Sequence, residues 1–519
     1  LIRVSGCTVT IDGAHRFAAL TVAAGGYVTH TAGAVEGLQL VVTRDAAVDT
    51  GGYVTTNGKG YGPEQGPGAG YYDGGGSSRS SGGGYGGQGG RADIGENQCY
   101  GSVTMPVDLG SGGGGVGGGR GGGAMHIKVL GTMTVNGYVG SSGSTGGGST
   151  YTGGGSGGSV LLEVGTLAGS TGGFIEASGG RNGYNATDGA GGGGRIAVYY
   201  DQNNFNGTVR ARTGVPYGPA YAGGAGTAFL KDRSAALGEL SLDNNGYSGS
   251  RSFIPQVTTL PANVTIREYA KLGTEYEDTG AGYWVGKLLD LTIEGGLTIE
   301  ASGYLDVSGD GEPAEEGPGS GYYDGGGSSR SSGGGYGGQG GRAGIGENQC
   351  YGSLTMPMDL GSGGGGADGG RGGGAMHIKV LGTMTVNGYV FSNGSTGGGS
   401  TYTGGGSGGS VLLEVGTLAG STGGFIEASG GRNGYNATDG AGGGGRIAVY
   451  YDQNNFNGTV RARTGVPYGP AYAGGAGTAF LKDRSAPLGD LFVDNDGYSG
   501  NSTLLTGPTD LAANMTIVN

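Results

Sequence analysis

Residues 157–180 read GGSVLLEVGTLAGSTGGFIEASGG, and the same string returns at residues 408–431. Within it Val160, Leu162 and Val164 are two residues apart, so they share one face of an extended chain. Glycines then interrupt the run before Ile175 and Ala177 repeat the alternation. The string therefore predicts short strands, each with one buried face, separated by tight turns.

The same layout occurs elsewhere along the chain. Apolar residues alternate in 289–293, 297–299 and 305–307, and glycines between them turn the chain about every eight residues. Residues 124–129 and 195–200 begin similar groups. Three short strands and three turns within roughly 20–25 residues are typical of one coil of a parallel β-solenoid. The predicted fold is therefore all-β, a parallel β-solenoid (β-helix) interrupted by long glycine-rich insertions.

Glycine accounts for 138 of the 519 residues, against about 7% in an average protein. Most of it lies in tracts at 61–122, 144–158, 180–194 and 214–226, which repeat later in the chain. Two interpretations are open: flexible loops, or ordered segments of polyproline II type packed so closely that only glycine fits. The tyrosines inside the tracts favour order, because their rings can lie flat on a glycine surface.

The chain is an internal duplication with an offset of 322 − 71 = 251 residues, which holds without a gap from Leu38/Leu289 to Thr265/Thr516. The predicted domains are module 1 at 1–262, module 2 at 263–513, and the start of a third repeat or an assembly strand at 514–519. Between residues 71 and 237 the copies differ at few positions, which are Asp93→Gly, Val103→Leu, Val107→Met, Val116→Ala, Gly117→Asp, Gly140→Phe, Ser142→Asn and Ala236→Pro. Such identity favours a repetitive structural protein over an enzyme.

The coil phrases carry a resemblance. Residues 157–180 and GAMHIKVLGTMTVNGYV at 123–139 resemble the coils of filamentous-haemagglutinin-type β-helix adhesins and of large glycine-rich bacterial surface and matrix proteins. The units GGGGRIAVYY at 191–200 and GGAGTAFLKD at 223–232 are similar to the units that follow in such proteins. The resemblance implies secretion, a β-helical rod, and an adhesive or structural role, for example in a biofilm matrix. It supplies no catalytic residues.

Charge and hydropathy exclude other classes. The net charge of −13 argues against a nucleic-acid partner, because nothing would neutralise phosphates. No apolar run reaches the roughly 20 residues of a membrane span. The glycine strings lack the GK[ST] ending of a phosphate loop. Charges on the predicted strands, such as Lys128, Glu163 and Arg210, are expected to stand alone, so the chain is predicted not to be an enzyme and to need no cofactor.

One weak metal candidate remains. Asp494 and Asp496 in the run DNDG resemble the start of a Ca²⁺ loop, but no bidentate Glu follows at the expected distance. A plain turn is the alternative. Glycosylation candidates carry the sequon Asn-X-Ser/Thr, and they are Asn185, Asn206, Asn263, Asn393, Asn436, Asn457, Asn501 and Asn514.

The cysteines are Cys7, Cys99 and Cys350, and no pair has the spacing of a zinc site. Buried free thiols, a disulfide between Cys7 and Cys99, and an intersubunit bond are the open alternatives.

The expected function follows from the repeat. Residues 513–518 match 262–266, the phrase at which the second module starts. A head-to-tail homopolymer of protomers is one explanation, and a fragment of a longer polypeptide is the other. The leading expectation is a secreted or cell-surface structural protein, a subunit of a fibre or matrix that binds copies of itself. The alternatives are a cell-surface adhesin that binds glycans or a host surface and, less favoured, a polysaccharide-active β-helix enzyme.

Overall fold

The alternating apolar residues lie in β-strands, most of them paired in parallel. The computed structural model describes residues 1–74, 79–91, 97–148, 151–218, 221–255, 258–280, 282–325, 330–346, 348–399, 402–435, 438–468, 472–505 and 511–518. Within these ranges the chain is all-β, with no α-helix and a short 3-10 turn at Ala343–Ile345. It divides into two compact units, Leu1–Val257 with Pro261–Leu272 and Thr258–Leu260 with Gly273–Asn519.

Strands in the first unit are short except for three that follow glycine tracts. They are β1 (Ile2–Val4), β2 (Thr8–Thr10), β3 (Gly13–Phe17), β4 (Leu20–Val22), β5 (Tyr27–Thr29), β6 (Leu38–Val42), β7 (Ala46–Val48), β8 (Tyr53–Thr55), β9 (Ala124–Val135), β10 (Tyr138–Gly140), β11 (Ser159–Gly169), β12 (Phe174–Glu176), β13 (Arg195–Phe205), β14 (Thr208–Arg210), β15 (Thr227–Asp232), β16 (Gly238–Asp243), β18 (Ala262–Arg267) and β19 (Lys271–Leu272).

From residue 289 onward, strands in the second unit repeat the order that begins with β6 in the first unit. They are β17 (Thr259–Leu260), β20 (Tyr276–Asp278), β21 (Trp284–Gly286), β22 (Leu289–Ile293), β23 (Leu297–Ile299), β24 (Tyr304–Asp306), β25 (Ala375–Val386), β26 (Tyr389–Phe391), β27 (Ser410–Gly420), β28 (Phe425–Glu427), β29 (Arg446–Phe456), β30 (Thr459–Arg461), β31 (Thr478–Asp483), β32 (Gly489–Asp494) and β33 (Ala513–Val518).

The first unit has three rows of parallel pairing. One row runs through β3, β6 and the first halves of β9, β11 and β13 to β15. A second runs through β1, β4, β7 and the second halves of the same long strands. The third is β2, β5, β8, β10, β12 and β14. From β3 to β14 each pass of the chain thus adds one segment to each row, and glycine tracts follow β8, β10, β12 and β14.

The register of these rows stacks like side chains on one another. Leu40 pairs with Ile127, which pairs with Leu162, which pairs with Val198. These side chains are almost fully buried and belong to the hydrophobic core of the first unit. A one-residue slip would move every apolar side chain of a strand to the opposite face, so the buried column fixes the register.

The second unit repeats the rows. β22, β25, β27, β29 and β31 form the first, β23 joins the second halves of the long strands, and β24, β26, β28 and β30 form the third. The expected strands at 289–293 and 297–299 are confirmed as β22 and β23, and β24 occupies 304–306 beside the expected 305–307. In each unit the chain reverses direction after the last strand of the first row. β15 pairs with β16 in antiparallel, and β31 pairs with β32 in the same way.

Candidate functional site: the glycine bundle

The glycine tracts leave the sheets after the third row and return to the first row of the next pass. In the first unit their described residues form extended legs at 60–74, 79–91, 110–123, 141–148, 151–158, 177–194, 211–218 and 221–226. We call these legs, with their equivalents 251 residues later, the glycine bundle. Their backbone groups bond to one another across the tracts, which agrees with the interpretation that the described residues are ordered.

Hydrogen bonding in the bundle has a period of three. Along residues 153–158, successive N–H groups donate to three different neighbouring legs, and the order then repeats. The donor and acceptor pairs are Gly153 to Gly114, Gly154 to Gly189, Gly155 to Ser144, Ser156 to Ser111, Gly157 to Gly192 and Gly158 to Ser141. Donors that point in three directions with a repeat of three residues match an extended helix with three residues per turn.

The neighbouring leg at residues 189–194 behaves in the same way. Its donor and acceptor pairs are Gly189 to Ser80, Ala190 to Tyr221, Gly191 to Gly180, Gly192 to Gly83, Gly193 to Gly224 and Gly194 to Ala177. Each leg is therefore surrounded by others, and its buried N–H groups have partners without any sheet ladder. This satisfies the requirement that buried backbone donors be paired.

Crowding explains why glycine is required here. A Cβ atom added to Gly191 would lie 1.9 Å from the carbonyl oxygen of Gly155, and one added to Gly155 would lie 2.0 Å from that of Arg120. These obstacles are backbone atoms of adjacent legs, which cannot rotate away. The entropic cost of ordering glycine is thus set against backbone hydrogen bonds that a Cβ atom at these two positions would disrupt.

Arg195 anchors the bundle at the point where the leg at 177–194 continues into β13. The side chain is fully buried, and its Nε donates to the carbonyl of Tyr100 at 2.8 Å. Nη1 donates to Oγ1 of Thr227 at 3.2 Å, and Nη2 donates to the carbonyl of Phe253 at 3.3 Å. Its Cζ also lies 5.6 Å from the ring centroid of Tyr85. Burial lowers the pKa of this guanidinium, yet its fork of donors holds three chain segments together.

Asp188 joins three legs near their outer ends. It is buried, with Oδ1 accepting the N–H of Ser80 at 3.0 Å and Oδ2 accepting that of Thr152 at 3.0 Å. Burial raises the pKa of this carboxyl group, and the backbone hydrogen bonds oppose that effect. Asp439 makes the equivalent bonds in the second unit. Sequence reasoning missed both Asp188 and Arg195, although each is a lone charge beside a glycine run that recurs 251 residues later.

Charged side chains on the first and third rows are not isolated. Nε2 of His126 lies 2.8 Å from Oε1 of Glu163, and Nζ of Lys128 lies 3.4 Å from Oε2. Arg210 pairs with Glu176 at 2.9 Å. The expectation that Lys128, Glu163 and Arg210 stand alone is therefore wrong. Parallel register places side chains of successive passes next to each other, across a tract whose length hides the pairing in the sequence.

In the second unit the same row brings two carboxylates to one imidazole. Nδ1 of His377 lies 3.1 Å from Oδ1 of Asp290, and its Nε2 lies 2.9 Å from Oε1 of Glu414. The first unit has Gln39 at the position of Asp290. Both ring nitrogens are engaged with carboxylates, so neither is directed at a substrate or an ion.

The metal candidates Asp494 and Asp496 form a turn. Oδ1 of Asp494 accepts the N–H of Asp496 at 2.8 Å, and Oδ2 of Asp496 lies 3.4 Å from Nε of Arg463. Asp496 has a φ of 55°. In the ranges given above, no three His, Cys, Asp or Glu side chains are grouped so as to hold a metal ion.

The glycosylation candidates differ in exposure. Asn206, Asn457 and Asn514 are exposed, whereas Asn185, Asn263, Asn393 and Asn501 are partly buried. The amide of Asn393 accepts the N–H of Ser429 at 2.7 Å and so serves as a structural link. Asn436 lies outside the described residues.

Cys7, Cys99 and Cys350 are not joined by disulfides in the structure. Cys7 is exposed, while Cys99 and Cys350 are buried beside the bundle. The considered bridge between Cys7 and Cys99 is therefore not formed. Burial raises the pKa of the Cys350 thiol, which keeps that thiol in its less reactive protonated form.

Comparison with known protein families, with characterised proteins and with solved structures found no match to this chain. No helix in the described ranges is long and apolar enough to cross a bilayer.

Proposed function

We propose that the chain is an extracellular structural protein, built as a β-solenoid with polyproline II-type glycine bundles. The three parallel rows support the solenoid, because each pass contributes one segment to each row in a constant order. The period of three in the bundle bonding supports the polyproline II-type conformation of the legs. Secretion is proposed from the resemblance of residues 157–180 to surface and matrix proteins.

The observation that carries this proposal is the density of backbone bonding among the legs. The bundle commits long stretches of chain to close contacts between backbones. Repeating residues 38–265 at an offset of 251 residues adds length and reproduces the side-chain groupings of the first unit, with the contact between Asp290 and His377 as an addition. A scaffold benefits from such repetition, since each repeat adds a similar increment of bonded structure.

An assembly role is supported by the edge strand β33. This strand pairs with β32 in parallel, as β18 pairs with β16. Val264 and Ile266 of β18 are 1% and 0% exposed, whereas Met515 and Ile517 at the equivalent positions are 48% and 71% exposed. An apolar strand with a free edge is a template for further pairing. We propose that a further copy of the repeat, in the same polypeptide or in another chain, continues the sheet there.

Electron microscopy of the purified chain at high concentration tests the assembly. Continuous filaments of constant width are expected, and a population of short, monodisperse rods would contradict head-to-tail assembly. The double variant Met515→Lys with Ile517→Lys places charges on the proposed edge and should leave only short rods. Val215→Lys, which changes an equally exposed apolar residue of the bundle (49% exposed), is the matched control and should assemble normally.

A further inference from the structure

The outer ends of the legs carry two tyrosines around one arginine. The rings of Tyr184 and Tyr217 meet edge to face, with centroids 5.8 Å apart and planes at 80°. Cζ of Arg181 lies 5.7 Å from each ring centroid. Tyr184 is 62% exposed and Tyr217 41% exposed, so both rings present surface to solvent. We call these three residues the tyrosine–arginine cluster.

A buried amide holds the cluster in place. Asn182 is fully buried, and its Nδ2 donates to the carbonyl of Asn185 at 2.8 Å. Its Oδ1 accepts the N–H of Tyr217 at 2.7 Å. One side chain therefore fixes the segment after Tyr184 relative to the segment that carries Tyr217. Segments that are fixed before a ligand arrives lose little conformational freedom on binding.

The guanidinium of Arg181 has no acceptor in the described ranges. It stacks near the rings, but no carboxylate, carbonyl or hydroxyl group there takes a hydrogen bond from it. Arg79, at the outer end of another leg, instead pairs with Asp73 at 2.9 Å. The fork of Arg181 is thus left available for an anion, and a guanidinium binds a carboxylate through two parallel hydrogen bonds.

The second unit builds the same cluster. Arg432 lies 5.7 Å and 5.6 Å from the ring centroids of Tyr435 and Tyr468, which are 5.9 Å apart with planes at 84°. Oδ1 of Asn433 accepts the N–H of Tyr468 at 2.8 Å. Tyr435 is 62% exposed, as Tyr184 is. The chain therefore presents two equivalent clusters.

We propose that each tyrosine–arginine cluster binds an acidic saccharide of the uronate class. The apolar C–H face of the sugar ring would lie on the exposed tyrosine, while its carboxylate would take the fork of the arginine. A free inorganic anion offers no ring for the tyrosine, and a neutral sugar offers no anion for the arginine. The net charge of −13 repels a polyanion at long range, so binding depends on the short-range contacts with the arginine and the tyrosine. The proposal does not depend on the structural role proposed above.

Isothermal titration of the full chain with short oligogalacturonates tests the proposal. Physiological ionic strength is used, at which charges beyond about 8 Å are screened. Two sites per chain are expected. The variant Arg181→Gln should leave one site, and Arg181→Gln with Arg432→Gln should weaken binding at least about tenfold, since a bidentate charged contact is lost. Tyr184→Ala with Tyr435→Ala should weaken it to a similar extent.

The controls separate recognition from general charge. Arg79→Gln with Arg330→Gln removes the same charge at equivalent positions of both units, and Tyr71→Ala with Tyr322→Ala removes tyrosines that are 54% and 55% exposed. Both control variants should bind as the parent does. Equal loss in Arg79→Gln with Arg330→Gln, unchanged binding in Arg181→Gln with Arg432→Gln, or equal affinity for a neutral oligoglucan would each overturn the proposal. Circular dichroism confirms that the variants keep the parent fold.

Discussion

The guanidinium of Arg195 lies over the ring of Tyr85, with Cζ 5.6 Å from the ring centroid and both side chains fully buried. The hydroxyl group of Tyr85 in turn bonds to Oγ of Ser159 at 2.6 Å, at the start of the neighbouring strand β11. Arg446 and Tyr336 repeat this stack in the second unit. The pair links the glycine bundle to the first row of the sheet. Substitutions of either side chain are therefore expected to weaken the contact between the bundle and the sheet.

Replacing the buried arginines by lysine should destabilise both units. In Arg195→Lys with Arg446→Lys the positive charge is kept, but one ammonium group cannot reach the three acceptors that the fork serves. Leaving buried carbonyl groups without donors should lower the free energy of unfolding by about 3 kcal/mol per unit. Chemical denaturation followed by circular dichroism measures the change. The exposed Arg16→Lys should stay within about 0.5 kcal/mol, and an equal loss there would argue against the anchoring role.

A single methyl group in the bundle should be strongly destabilising. Gly191→Ala with Gly442→Ala places each Cβ 1.9 Å from a carbonyl oxygen of the adjacent leg, so the legs must separate. We expect a loss of about 3 kcal/mol or more per unit, at the upper end of overpacking effects.

The matched control for this change is Gly172→Ala with Gly423→Ala. There the nearest atoms to the added Cβ are the Oγ atoms of Ser170 and Ser421, at 3.9 Å and 3.8 Å. Thermal denaturation should show little change in the control. Similar midpoints for the two double variants would mean that the close packing of the legs is wrong.

The carboxylates that join the legs should not tolerate an amide. In Asp188→Asn with Asp439→Asn one of the two oxygens that accept backbone N–H groups becomes an NH₂ group, which faces a donor. Each unit is then left with one unpaired donor, which should lower its free energy of unfolding by about 2 kcal/mol. Hydrogen exchange at the amides of Ser80 and Thr152 should accelerate, while the amides of β11 keep their protection. Unchanged exchange at Ser80 would contradict the role assigned to Asp188.

Alkaline pH should destabilise the fold through buried phenols. Burial raises the pKa of Tyr85 and Tyr336 above the ordinary value of 10.0, and it does the same for Tyr100 and Tyr351. These groups keep their protons in the folded chain, whereas the unfolded chain releases them near pH 10. Their contribution to the free energy of unfolding is therefore fully present below pH 10 and is lost as the pH rises above that value. Each buried tyrosine should remove about 1.4 kcal/mol of stability for each pH unit above 10.

Denaturation midpoints from about pH 9 to about pH 11 measure this slope. The variant Tyr85→Phe with Tyr336→Phe should show a shallower decline, because two of the phenols are gone. A decline as steep as that of the parent chain would assign the alkaline loss to other groups.

The strands could be predicted from the sequence because their signal is local. Leu289, Leu291 and Ile293 alternate within five residues, and β22 covers that range. The arrangement of the legs could not be predicted from the sequence. Gly155 bonds to Ser144 and Gly180 bonds to Gly155, but glycine has no side chain that would indicate which leg is its partner. Arg195 and Asp188 were missed for a related reason, because most of their hydrogen-bond partners are backbone groups far away in the chain.

The crowding within the legs also restricts how the two copies can diverge. Over residues 71–237, Gly117→Asp and Gly140→Phe are the positions at which a glycine of the first copy is replaced in the second. Gly117 lies in a turn, and a Cβ on Gly140 would meet the ring of Tyr138, a side chain that can move. Ser142→Asn keeps an oxygen that accepts a serine N–H in both units. Most legs offer no such freedom, so few substitutions at their glycines are compatible with folding, and this limits how far the two copies can diverge.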